Sequence, residues 1–151
     1  MPNNRDTSPE PLKIVLDTNS FVAAGFNPGS SSGKIVEAVR AGRVAIIWNR
    51  ECRREIEHVL SRIPPLRGKD FSDLFLDAWH YKGAEDVARF SFIPDPDDRK
   101  FAALAHAAEV SLVSQDSDLL DYRAESPVPT WSPTGFLERY RSVLERDDDT
   151  P

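Results

Sequence analysis

With 151 residues, 40% of them hydrophobic and 29% charged, the chain has the make-up of one soluble globular domain large enough to bury a core. No apolar run approaches the ~20 residues that cross a bilayer, and the polar opening MPNNRDTSPEP lacks the hydrophobic stretch of a secretory signal. A net charge of -6 argues against wholesale nucleic-acid binding, although Arg40 to Lys69 gathers eight basic residues against three acids.

In chain order, residues 1–11 read as a disordered lead-in, residues 12–144 as a single domain and residues 145–151 as an acidic tail. Within the domain, short runs rich in β-branched and aromatic residues (KIVL, VAIIW, FSFI, VSLVS and PVPTW) predict about five strands. Helical patterns fall between and after them: FVAAGF, GKIVEAVRAG, ECRREIEHVLSRI, KDFSDLFLDAWHYKGAEDVARF, DRKFAALAHAAE, SDLLDYRAE and TGFLERYRSVLER. The alternation predicts an α/β fold, a three-layer sandwich with a mainly parallel central sheet flanked by helices. Ligands of such sheets bind beyond the carboxyl ends of the strands.

Acids stand at those places. Asp17 follows the first strand, Glu55 lies on the helix after the second, Asp98 opens the helix before the fourth, and Asp116 and Asp118 follow the fourth. If the first and fourth strands are neighbours, four carboxylates from distant positions meet at one end of the sheet. Two like charges 4 Å apart repel by about 4 kcal/mol at an effective dielectric near 20, so such a group stays ionised only around a cation. All-oxygen ligation suits Mg2+ or Mn2+. Each acid alone has a plainer reading: Asp17 as a turn-former, Asp98 as a helix cap, Glu55 as a surface residue, Asp116 and Asp118 as caps of the next helix. Asp95 and Asp97 read as loop residues that add to the negative field.

Other features point nowhere. GSSSGK has three residues between its glycines where a phosphate loop has four, and Ile35 stands where that loop needs Ser or Thr. His58, His80 and His106 have no paired spacing. The lone Cys52 rules out an internal disulfide and fits a reducing, cytoplasmic interior. Trp48, Trp79 and Trp131 read as packing residues.

The ordered set IVLDTNSFV, EIEHVL, PDPDDRKFAALAHAAEVSLVSQDSDLL and PTGFLERY resembles PIN-domain proteins, particularly the bacterial branch of VapC-type toxins, from about Lys13 to Tyr140. The resemblance implies a metal-dependent ribonuclease that cuts single-stranded RNA, the toxin of a type II toxin–antitoxin pair. It assigns catalysis to Asp17, Glu55, Asp98 and Asp116, and Mg2+ or Mn2+ to Asp17, Asp98 and Asp116, with Asp118 able to share or replace the last. Thr18, Asn19 and Ser114 match positions that hold the site together by hydrogen bonds; Ser114 replaces a commoner Thr. It further implies an RNA substrate, a cognate antitoxin and a homodimer as partners, and no membrane. Arg53 and Arg54, just before Glu55, are the expected phosphate contacts. A phosphoacceptor module would want paired acids after the first strand and a lysine after the fifth, which this chain lacks; a non-catalytic interaction module is the other alternative.

Overall fold

A computed structural model describes residues 10–145, apart from the side chain of Asp118. The lead-in up to residue 9 and the tail from residue 146 therefore lie outside the described residues. Four parallel strands form one sheet in the order β2-β1-β3-β4, with β1 at Leu12–Leu16, β2 at Val44–Ile46, β3 at Ser111–Val113 and β4 at Thr130–Trp131. Ile14, Val15 and Leu16 are each 1% exposed, as a continuous apolar run must be when helices cover both faces of a parallel strand. Leu16 pairs with Val113, so β1 and β3 end side by side.

The helices are α1 (Thr18–Phe26), α2 (Ser31–Arg40), α3 (Arg50–Ser61), α4 (Pro96–Ala108), α5 (Ser117–Asp121), α6 (Pro133–Arg139) and α7 (Arg141–Leu144). Their starts are chemically marked: Asp17, Ser30, Asn49, Asp95 and Ser132 each accept a backbone N–H of the first turn. The GSSSGK stretch is the second of these. Ser30 caps α2, and a Cβ at Gly33 would sit 2.1 Å from the Pro28 carbonyl oxygen, so only glycine allows that close approach. The apolar faces meet in one core in which Phe21, Phe90, Phe101 and Phe136 are wholly buried.

Two expectations need correction. The FSFI run is not a strand, so the sheet has four strands and not five. Phe90 and Ile93 are buried, but the carbonyls of Ser91 and Ile93 accept hydrogen bonds from the Arg99 guanidinium, and Pro94 comes next with no N–H to give. The long helix expected over KDFSDLFLDAWHYKGAEDVARF is also absent. Short 3-10 turns at Ser72–Leu74, Asp77–Trp79 and Val87–Phe90 take its place, preceded by another at Pro64–Leu66, and together they let Leu66, Phe71, Leu74, Phe75 and Phe90 each drop into the core. Asp70 draws the chain into a turn by accepting the Ser72 N–H, and Gly83 breaks the helical pattern beyond Tyr81.

Trp48 secures this irregular segment. Its Nε1 donates to the Leu76 carbonyl at 2.8 Å, its own carbonyl accepts the Tyr81 N–H at 2.8 Å, and its ring stacks on His80 with centroids 4.0 Å apart.

Helix α4 ends at Glu109, a non-glycine residue in the left-handed region at φ 58°, whose N–H closes the last turn on Ala105 and His106. That conformation is strained for an L side chain, and Glu109 is exposed. Glu109→Gly is therefore expected to stabilise the protein by up to about 1 kcal/mol, read as a raised urea midpoint at unchanged slope.

Candidate active site

Asp17 leaves β1 at the point where β3 ends beside it and caps α1, which accounts for its 2% exposure. Its Oδ1 accepts the Ser20 N–H at 3.1 Å and the Ser20 hydroxyl at 2.7 Å, and its Oδ2 accepts the Ser114 hydroxyl. Ser114 Oγ in turn accepts the Asp116 N–H at 2.8 Å, so one buried hydroxyl fixes both Asp17 and the backbone that carries Asp116. Burial pushes the Asp17 carboxyl above its ordinary range, and the hydrogen bonds from Ser114 and Ser20 oppose that rise.

Asp98 arrives from the other side, in the first turn of α4. Asp95, not Asp98, is the cap: its carboxylate accepts the Asp97 N–H at 3.0 Å. Asp98 is instead 9% exposed, and its buried Oδ2 receives no hydrogen bond. Burial, then the Asp116 carboxyl against it, then the charges of Asp95 and Asp17 push the Asp98 carboxyl up to about 8. The Asp98 and Asp116 carboxyls are thus in competition for one region of space.

Glu55 projects from α3, where Thr18 Oγ1 donates to its Oε2 at 2.9 Å and the Lys100 ammonium donates to its Oε1. A cleft of about 720 Å³ opens over these side chains. It brings together Asp17, Thr18, Asn19, Arg54, Glu55, Asp98 and Asp116 from the expected set, and adds Glu51, His58, Asp95, Asp97 and Lys100.

Arg53 is not among them. Its guanidinium pairs with Glu57 at 2.9 Å and lies 5.0 Å over the Trp48 ring and 4.8 Å over the Phe75 ring, on another face of α3. The spacing Glu51, Arg54, Glu55, His58 is a helix face of the i, i+3, i+4, i+7 kind, and that signal separates Arg54 from Arg53. Ser20, which holds Asp17, and Lys100, which meets Glu55, are side chains of this cleft's network that the sequence reading did not pick out. Ser20 was visible as the residue three beyond a capping Asp, whereas no local pattern marked Lys100. Asp118 lies on α5, its side chain outside the described residues. Cys52 is buried behind the cleft, its thiol pushed up by burial, as expected of a packing residue.

Among the described residues no group of three His, Cys, Asp or Glu side chains is arranged to hold a metal ion. The four-carboxylate cluster is therefore not closed: Glu55 is engaged by Thr18 and Lys100, and Asp17 by two serines. The donors nevertheless fit a hard divalent ion in chemistry. Mg2+ commonly takes only one or two carboxylates and keeps several waters, and the unpartnered Asp98 Oδ2 beside Asp116 is an oxygen that lacks a positive neighbour.

An acid-lined cleft at the carboxyl ends of parallel strands defines an α/β protein whose chemistry sits at the sheet's end. The family described as PIN domain matches residues 13–118, and the chain belongs to that family. An uncharacterized protein of Methanocaldococcus jannaschii is 24% identical over 148 residues, covering 88% of this chain and 94% of that protein. No solved structure matches the chain. PIN domains are generally nucleases that act on RNA and usually bind divalent metal ions, so membership points to a nuclease-type function. Among the described residues no helix is long and apolar enough to cross a membrane.

The raised Asp98 carboxyl has a pH signature in metal-free protein. Because the folded state holds a proton that the unfolded state has released, stability is greatest below about pH 4 on account of this group and is lost as the pH rises toward about 8. Urea unfolding in EDTA is expected to show that decline, and Asp98→Asn to flatten it; a wild-type profile as flat as the variant's would remove the Asp98–Asp116 competition.

Proposed function

We propose that the protein is a Mg2+- or Mn2+-dependent endoribonuclease that hydrolyses phosphodiester bonds of single-stranded RNA, and that it is the toxin of a cytoplasmic type II toxin–antitoxin pair. The observation that carries the nuclease reading is the Asp98–Asp116 pair in the cleft, with the buried Asp98 Oδ2 unpartnered and Asp17 held rigidly beside it. Asp98 and Asp116 are the residues assigned to hold the ion. Asp17, whose two oxygens are oriented by Ser20 and Ser114, faces the same space with lone pairs to spare. When bound, the ion acidifies water and offsets charge on the attacking and leaving oxygens of the phosphodiester. Glu55, held by Thr18, orients the attacking water, and Arg54 contacts the RNA backbone at the cleft wall. The toxin reading is supported by the ordered motifs that resemble VapC-type proteins; a small neighbouring reading frame with an Arg-bearing segment would strengthen it.

Cleavage of mixed single-stranded RNA is expected with Mg2+ or Mn2+, to stop in EDTA, and to fall at least about 100-fold in Asp17→Asn. Folded protein that cuts no RNA with either ion would favour a non-catalytic interaction module. Ser114→Ala is expected to lower metal affinity or activity by about 10- to 100-fold, since it frees both Asp17 and the Asp116 backbone. The two arginines separate in the same assay: Arg54→Ala is expected to raise KM, and Arg53→Ala to lower the melting temperature with KM unchanged, because it removes packing on Trp48 and Phe75.

A further inference from the structure

The cleft has an electrostatic difficulty that its acids create. Seven carboxylates line it against two cationic side chains, Arg54 and Lys100. One divalent ion leaves that balance negative, and an RNA strand brings a further negative charge with each nucleotide. A polyanion enters such a place only where a cation on the wall turns toward it.

Lys100 is built to do so. It stands two residues beyond Asp98 on α4 and reaches across to α3, where its ammonium meets Glu55 and lies 3.8 Å from Asp97. The Lys100 and Glu55 side chains are 23% and 18% exposed, so solvent reaches the pair and its net worth to stability is small. Glu55 does not depend on it for position, because Thr18 Oγ1 holds the other carboxylate oxygen at 2.9 Å. An ammonium on a flexible stem is a point charge that changes partners without the fixed fork of a guanidinium.

We infer that Lys100 is a phosphate-contacting residue: on RNA binding its ammonium leaves Glu55 for a phosphodiester oxygen in the cleft, while Thr18 keeps Glu55 in place. The resting ion pair then screens the empty cleft, and its opening is driven by the arriving phosphate. This rests on the nuclease reading, and it names the group that admits the substrate.

Binding of a fluorescein-labelled oligouridylate is measured by anisotropy against salt concentration, both in EDTA and with calcium, alongside cleavage assays. Lys100→Met is expected to weaken binding about tenfold and to lower the slope of log affinity against log salt by about 0.7, the share of one phosphate contact on a single strand. Lys100→Arg is expected to keep most of the slope. Glu55→Gln, which frees the ammonium, is expected to tighten binding. An unchanged slope in natively folded Lys100→Met, no binding by wild type, or equal or weaker binding by Glu55→Gln would each overturn the inference. Should Lys100→Met not fold, Glu55→Gln decides alone. Lys100-dependent binding without cleavage by wild type would leave the inference standing and remove the nuclease reading. Metal-dependent cleavage with a slope indifferent to Lys100 would do the reverse.

Discussion

The hydrogen bond from Ser114 to Asp17 is the contact on which the site depends. It joins the residue that leaves β1 to the residue that leaves β3, and it exists because Leu16 and Val113 are in register one residue earlier. A slip of one residue between those strands would turn the serine to the other face of the sheet. The apolar core therefore does more than stabilise: by specifying strand register it aims a hydroxyl at a carboxylate. Ser20 completes the arrangement from α1, so that a fully buried acid has both oxygens oriented by protein donors.

Around that fixed acid the site divides into a rigid and an adjustable half. Asp17, Ser20, Ser114 and the Asp116 backbone form a connected set of buried polar groups, each satisfied by another. Facing them, Glu55, Lys100, Asp97 and Arg54 line the solvent-facing part of the cleft, the first three joined through the Lys100 ammonium and Glu55 held also by Thr18. Asp98 sits between the two, buried like the first and unpartnered on one oxygen. A preorganised inner set with a yielding wall suits chemistry on a flexible polymer, where the reacting group must be placed accurately and the rest of the chain accommodated.

Much of this was legible in the sequence because short-range patterns dictate it. The run Ile14 to Leu16 ending in Asp17, and Leu112 and Val113 ending in Ser114, could only be buried strands that present polar residues where they leave the sheet. Asp98 stood out by its place among acids converging on the sheet's end; its plainer reading as a cap belongs to Asp95, and Asp98 is the inward residue of the same turn. The features that could not be read depend on tertiary placement. Lys100 occupies an ordinary position on an amphipathic helix and acquires meaning only because α3 brings Glu55 to it. Phe71, Leu74 and Phe75 have a spacing that suits a helix, yet the chain between Gly68 and Gly83 satisfies its backbone in separate turns, which no periodicity distinguishes.

The segment from Pro64 to Ile93 is joined to the sheet through Trp48 and leans on α3 where Arg53 lies over Phe75. Its buried side chains anchor it at a few points, and the loops between them carry no ladder whose register must be kept. A shift that reaches Phe75 is passed through Arg53 to the helix bearing Arg54 and Glu55, and one that reaches the Ser91 and Ile93 carbonyls is passed through Arg99 to the helix bearing Asp98. The segment thus braces, without lining the cleft, the two helices that bring Glu55 and Asp98 to it.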